Sequence, residues 1–215
     1  MNLIVISELF PPEETSTAYI MGEITKTLSD KYNVTIVCGP EVYDQNKLTV
    51  LPKSSLIAGV TTIRVKGIKE NKANKLSRIR KFLLMSWRLY KASKKVINKG
   101  DKVLLVSNPF PLLILMAFHR KKMDYEISFL AHDLFPEPLL MRFKLPNLVY
   151  RQCLNIFNRS YARMDKIISL GRDMTDVLRE KTMPYNPNLE IIQIENWGDI
   201  NSIYPMDTHS DSDKI

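Results

Sequence analysis

Glycine is scarce in this chain and never clustered. Its seven glycines, at positions 22, 39, 59, 67, 100, 171 and 198 of 215, all stand isolated. Dinucleotide fingerprints and P-loops need glycines close together so that the backbone can approach phosphate, which argues against both. Cysteine is nearly missing as well: Cys38 closes an apolar, strand-like run and Cys153 falls in a helical pattern. Two such thiols are expected to be buried and free rather than a disulfide or a metal site, which suits a reducing cytoplasm. Long hydrophobic runs are absent too. The longest candidate, Pro109 to Phe118, falls short of the roughly 18 residues that span a bilayer. Met1 to Ile6 has no basic stretch before it and is too short for a signal peptide. A soluble or peripheral protein is expected.

What is present is an ordinary globular composition, 45% hydrophobic and 25% charged, enough for a sizeable core. The formal charge of +8 points to an anionic partner: phosphates, nucleic acid or an acidic bilayer face. Leu3–Ile6 reads as a buried parallel strand. Ile20, Met21, Ile24 and Leu28 then repeat at helical spacing behind Ser16 or Thr17 as N-cap. Asn33–Cys38 is a second strand, so the chain opens with a βαβ unit. Residues 40–60, with Pro52, read as an irregular insertion. Further strands are expected at Thr61–Lys66, Val103–Val106, Glu126–Ala131, Lys166–Leu170 and Leu189–Ile194. Helices are expected at about Ala73–Asn98 (ended by Gly100), Leu112–Arg120, one or two within 139–163 broken near Pro146, and Asp173–Lys181. This alternation predicts an α/β, Rossmann-like doubly wound parallel sheet flanked by helices. Only the tail from Met206, with Ser210-Asp211-Ser212-Asp213, reads as disordered, so its Asp-x-Asp is dismissed as a metal site.

The densest chemistry is His132-Asp133-Leu134-Phe135-Pro136-Glu137, directly after the apolar run Ile127–Ala131. Open α/β sheets bind ligands at the carboxyl ends of their strands. His132 can exchange a proton near neutral pH with a reacting hydroxyl; Asp133 is a rival base or orients the imidazole. Glu137 could reach a substrate or cap a helix starting near Leu139. A strand-end histidine satisfied by loop carbonyls is the plainer alternative. A second feature is the helix between Lys72 and Lys99, which has ten Lys or Arg and no acid. At 100° per residue, Leu76, Ile79, Leu83, Trp87, Tyr90 and Ile97 form an apolar stripe, expected to face the core. Arg80, Lys81, Arg88, Lys91, Lys95 and Lys99 form an arc beside it, with Leu84 inside the arc and Met85 at its margin. Cations mixed with apolar groups suit anionic lipid headgroups, so Arg80, Lys81, Leu84, Met85, Arg88, Lys91 and Lys95 are the expected membrane contacts. Nucleic acid is not expected, since no groove-reading motif or aromatic platform accompanies the charge. His119 reads as a solvated helix end.

Five segments in register resemble the N-terminal half of group 1, or family 4, glycosyltransferases of the GT-B fold. They are Phe10–Tyr19, Ser107–Pro111, His132–Glu137, Ala162–Ile168 and Ile194–Asp199. His132–Glu137 is similar to the His-Asp-Leu-Trp-Pro-Glu segment of amino-sugar transferases in O-antigen and capsule pathways. The resemblance implies an acceptor-binding domain over residues 1–195, with 196–215 beginning the interdomain linker and tail, Asn196 and Trp197 first. It implies retaining transfer from a nucleotide sugar, of hexosyl or N-acetylhexosaminyl type, to a lipid-diphosphate-linked saccharide at the inner face of the cytoplasmic membrane. No cofactor and no obligatory metal are expected. His132 and Asp133 are then the catalytic candidates, and Asn108, Phe110 and Glu137 the acceptor-binding ones. Thr15, Ser16 and Thr17 would face the donor phosphates, where many relatives have a Gly-Gly pair, so hydroxyls must replace one backbone approach; a helix N-terminus attracts anions regardless. The donor-binding domain is expected to be missing from these residues and the chain inactive alone. The alternative is a non-catalytic, membrane-anchoring subunit of a split glycosyltransferase.

Overall fold

The β-branched runs read from the sequence pair side by side, and every pairing is parallel. The computed structural model describes residues 1–41, 57–69, 71, 73–138 and 146–198. Its strands are β1 (Asn2–Ser7), β2 (Asn33–Cys38), β3 (Val60–Arg64), β4 (Lys102–Val106), β5 (Glu126–Ala131), β6 (Lys166–Ser169) and β7 (Glu190–Gln193). They form one sheet in the order β3-β2-β1-β4-β5-β6-β7. The chain builds outward from β1 to β3, returns to lay β4 against β1, and builds the other way. That reversal between β1 and β4 is a topological switch point, where carboxyl-end loops diverge and leave a crevice. Register pairs Ile6 with Leu105 and Val106 with Leu130, so β1, β4 and β5 end at one level.

Five described helices flank the sheet: α1 (Ser16–Ser29), α2 (Lys75–Val96), α3 (Pro111–Arg120), α4 (Asn147–Tyr161) and α5 (Arg172–Thr182). Side chains alternate across each strand, and both faces of the sheet are apolar. Ile4, Ile6, Leu105, Ile127 and Phe129 pack beneath α2, α3, α4 and α5. Leu3, Val5, Ile36, Leu104 and Leu130 face the other way, toward Met21, Ile24 and Leu28 of α1. Beyond α1 that second face carries a groove of about 390 Å³, lined by Leu28, Leu104, Leu130, Ile168 and Trp197 among others. Cys38 is buried and free, and burial pushes its thiol up to about 11; Cys153 is free but only half-buried.

Three sequence expectations are corrected here. The N-cap of α1 is Thr15, in extended conformation, whose hydroxyl accepts from the Ala18 amide at 3.2 Å. His119 is buried, its Nδ1 3.2 Å from the Tyr125 hydroxyl, and burial first, then Lys94 and Lys122, pushes its imidazole below the usual range. The third concerns α2, whose expected stripe is turned outward: Leu76, Ile79, Leu83 and Trp87 are exposed, and of that set Ile97 alone is fully buried. Met85, Ser86, Leu89 and Ser93 form the buried face instead. Ser86 can go inside because its hydroxyl donates to the Phe82 carbonyl at 2.7 Å, which satisfies a polar group that reads as solvent-facing in the sequence. The expected disordered tail, the linker from residue 199 onward, Pro52 and a helix start near Leu139 all lie outside the described residues.

One contact locks the carboxyl ends of β1 and β2 together. The Gly39 amide donates to the Glu8 carbonyl at 3.0 Å, and a Cβ on Gly39 would lie 2.4 Å from that same oxygen. Backbone cannot yield there without moving a strand end. Gly39→Ala is expected to cost about 1–3 kcal/mol, the range of overpacked sites, seen as a lower urea midpoint with an unchanged slope.

Candidate functional site

Three loops meet above the switch point, following β1, β4 and β5. Each contains a cis prolyl bond, at Pro11-Pro12, Asn108-Pro109 and Phe135-Pro136. The first loop is anchored by Phe10, buried under the sheet's end, and by Arg64 at the end of β3, which donates to the Pro11 carbonyl. Pro11 also lies on α1 where Gly22 leaves room: a Cβ there would come within 2.7 Å of the proline Cγ. The loop thus delivers Thr15 as cap, with Ser16 exposed and Thr17 half-buried in the first turn of α1. The amides of those two residues have no intrahelical acceptor and sit at the positive end of the helix, an arrangement that suits an anion.

Ser107, at the end of β4, is buried, and its hydroxyl accepts from the amides of both His132 and Asp133 at 3.2 Å. One oxygen therefore fixes the turn that follows β5. Next to it, the Asn108 side-chain amide donates to the Asp133 carboxylate at 3.0 Å. Asp133 is exposed, so its charge is aimed without being hidden. His132 is half-buried, and its Nε2 is covered with no hydrogen-bond partner among the described residues. Burial, the larger effect, pushes this imidazole below its ordinary range, while Asp133 pulls it back up. At neutral pH the ring is uncharged and able to accept a proton.

The other two expected acceptor contacts, Phe110 and Glu137, already have partners within the fold. Phe110 is half-buried in an aromatic cluster, stacked on Phe135 with centroids 4.7 Å apart and close to Phe82 and Phe157. It braces two loops against the core. Glu137 is held by the buried Lys181 Nζ of α5, an ion pair that ties the end of the His132–Glu137 segment to a helix. Sequence reasoning missed Lys181, and also Tyr161, whose hydroxyl accepts from the Phe135 amide at 3.0 Å. Both are polar letters inside amphipathic helices, and only tertiary contact reveals their partners.

Among the expected membrane contacts, Arg80, Leu84, Lys91 and Lys95 are exposed, whereas Met85 and Lys81 are buried and cannot meet a bilayer. Arg88 is half-buried and donates to the carbonyls of Lys66 and Gly67 at 2.7 and 2.9 Å. Asn196 and Trp197 are exposed past β7, beside the groove on the α1 face. No described helix is long and apolar enough to cross a membrane.

No protein-family model matches the sequence. Across 90% of its length the chain superposes with a TM-score of 0.62 and 11% identity on the N-terminal domain of a Candida albicans trehalose-6-phosphate phosphatase, covering 48% of that chain. It also matches Anabaena HepE, solved in complex with UDP: TM-score 0.52, 11% identity, 94% of this chain and 45% of that one. These neighbours are GT-B structures. The chain has the fold of one half of a GT-B glycosyltransferase. In sequence it is similar to the probable glycosyltransferase WbjE of Pseudomonas aeruginosa, at 24% identity over 210 residues. The match takes in 95% of this chain but 50% of WbjE, so the chain spans about half the length of the curated relative it matches. In this GT-B half the candidate site lies on the carboxyl edge, at the switch point.

Proposed function

We propose that this chain is the acceptor-binding half of a retaining glycosyltransferase that moves a sugar from a nucleotide sugar to a lipid-diphosphate-linked glycan. The product is a bacterial surface polysaccharide of the O-antigen or capsule kind, made at the inner face of the cytoplasmic membrane. The observation that carries the reading is the pairing of His132 and Asp133 above the switch point. A covered ring nitrogen without a partner among the described residues has a desolvation cost, and its residue is followed by a carboxylate already oriented by Asn108. The likeness to WbjE and the UDP held by HepE support the sugar-transfer class and a nucleoside-diphosphate donor.

In the mechanism we infer, the acceptor hydroxyl oxygen bonds to the anomeric carbon as the bond from that carbon to the donor phosphate breaks. The nucleoside diphosphate leaves with the electron pair. The hydroxyl proton passes to the uncharged His132 imidazole, and Asp133 stabilises the imidazolium that forms. The first turn of α1, with Thr15, Ser16 and Thr17, meets the charge of the departing diphosphate. No metal and no cofactor enters this scheme.

The test is transfer of radiolabelled sugar to a butanol-soluble lipid product by the chain joined to a donor-binding GT-B domain. We expect transfer by the joined protein and none by either half. Transfer that needs only the donor-binding domain would overturn the reading.

A further inference from the structure

The His132–Glu137 segment is held in shape from outside. Along a strand, successive amides point to opposite edges. Two neighbouring amides can therefore share one acceptor only where the chain turns out of the sheet. Such a turn follows β5. The Ser107 amide still bonds across to the Leu130 carbonyl at 3.2 Å, carrying on the pairing of β4 with β5. The next amides on the β5 side, those of His132 and Asp133, both turn to the Ser107 hydroxyl. A hydroxyl oxygen has two acceptor lone pairs, and both are used here. Three residues on, the Phe135 amide goes to the hydroxyl of Tyr161, from α4.

We propose that Ser107 is the positioning residue of this site, its one side-chain oxygen setting where the His132 ring and the Asp133 carboxylate stand relative to each other. The support behind that oxygen is rigid. Ser107 is 2% exposed and follows β4, an interior strand hydrogen-bonded to both β1 and β5. Holding the His132 amide keeps the ring half-buried, while the same oxygen holds the Asp133 amide and Asn108 holds the Asp133 carboxylate at 3.0 Å. A Ser-Asn pair on one strand end thus grips a His-Asp pair on the next by backbone and side chain together. Without the hydroxyl, two amides lose their acceptor. The turn then relaxes and water reaches the imidazole. Ser107 touches no reacting atom and acts through the two residues that it holds. This deepens the reading above, and its consequences for rate rest on that reading. Its effect on the ring does not, because the titration below needs neither donor nor acceptor.

The experiment is a nuclear magnetic resonance titration of the 215-residue chain with isotope-labelled histidine, whose three imidazoles are resolved one by one. In Ser107→Ala the His132 midpoint should rise by at least about 0.5 pH unit, toward the ordinary value near 6.5, as the ring gains water. Tyr161→Phe is the matched control, since it takes a hydroxyl from another amide of the same segment. There the His132 midpoint should stay within about 0.1 of wild type. The buried His119 should keep its midpoint in both variants, which shows that each is folded. In the chain joined to a donor-binding domain, Ser107→Ala should lower kcat roughly 10²-fold, the effect of a misplacement of about 1 Å. KM for the acceptor should change less than about threefold. On a His132→Ala/Asp133→Asn background the same substitution should cost less than about threefold, with nothing left to position. A His132 midpoint unmoved by Ser107→Ala, or moved equally by Tyr161→Phe, overturns the proposal. So does a kcat that falls with His132→Ala but not with Ser107→Ala, or a full loss from Ser107→Ala on the doubly substituted background. A joined protein that transfers no sugar, with the midpoint raised in Ser107→Ala alone, sinks the transferase reading and supports the hold on the ring.

Discussion

His132→Ala, in the chain joined to a donor-binding domain, is expected to lower the rate of sugar transfer by roughly 10²- to 10⁴-fold, the usual worth of a positioned base. The fall should be in kcat with KM for acceptor little changed, because the imidazole acts as the proton moves and not in holding the sugar. The acid limb of the wild-type rate profile should lie below the ordinary imidazole range, since burial outweighs Asp133 in setting this ring. Asp133→Asn separates the two candidate bases. It removes the charge but leaves an oxygen for Asn108, so a loss larger than that of His132→Ala would move the base role to the carboxylate. Equal rates for wild type and His132→Ala would remove the imidazole from the mechanism. The same shift has a stability consequence. Unfolded histidine binds its proton near pH 6.5, and the folded ring only at lower pH. Stability therefore declines as pH falls from about 6.5 through the folded value, and His119, shifted the same way, adds to the decline.

Glu137→Ala is expected to destabilise the fold by about 3 kcal/mol, because it strands a buried ammonium with no carboxylate beside it. The Lys181 side chain is 6% exposed and that of Glu137 42%, so the lysine carries most of the desolvation. Replacing both partners, in Glu137→Leu/Lys181→Met, should recover most of the loss, since an apolar pair needs no compensation there. Urea denaturation of the two variants and wild type makes the comparison. A single variant within about 0.5 kcal/mol of wild type, the range of inert surface changes, would mean that the ammonium finds water and that the tie does not hold the segment.

These two sites differ in how far the sequence discloses them. His132 and Asp133 are legible because they follow five apolar residues of β5, and a buried parallel strand presents whatever comes next at its carboxyl edge. The strands themselves are legible for the same reason: runs such as Leu3–Ile6 have no polar residue to place outside. The Glu137–Lys181 pair is not legible, since 44 residues and two helices' packing separate its partners. Nor was the orientation of α2. Two stripes at helical spacing compete there, and the one richer in leucine and tryptophan loses to one containing Ser86 and Ser93. Small residues let a helix lie close to its support, and the Ser86 hydroxyl can be buried because it bonds back to its own helix. Binary patterning scores both serines as solvent-facing. Ser107 and Arg64 escape for a related reason: each acts by receiving or giving bonds to backbone, which leaves no mark on the partner's letter.

The order of the strands has one last consequence. β1, β4 and β5 are interior members of the sheet, each hydrogen-bonded on both sides, while β3 and β7 form its margins and β7 keeps most of its residues in contact with solvent. Opening of a fold proceeds inward from weakly protected borders. The loops bearing His132, Asn108 and Thr15 hang from the strands that would let go last, so breathing at either border leaves their spacing intact.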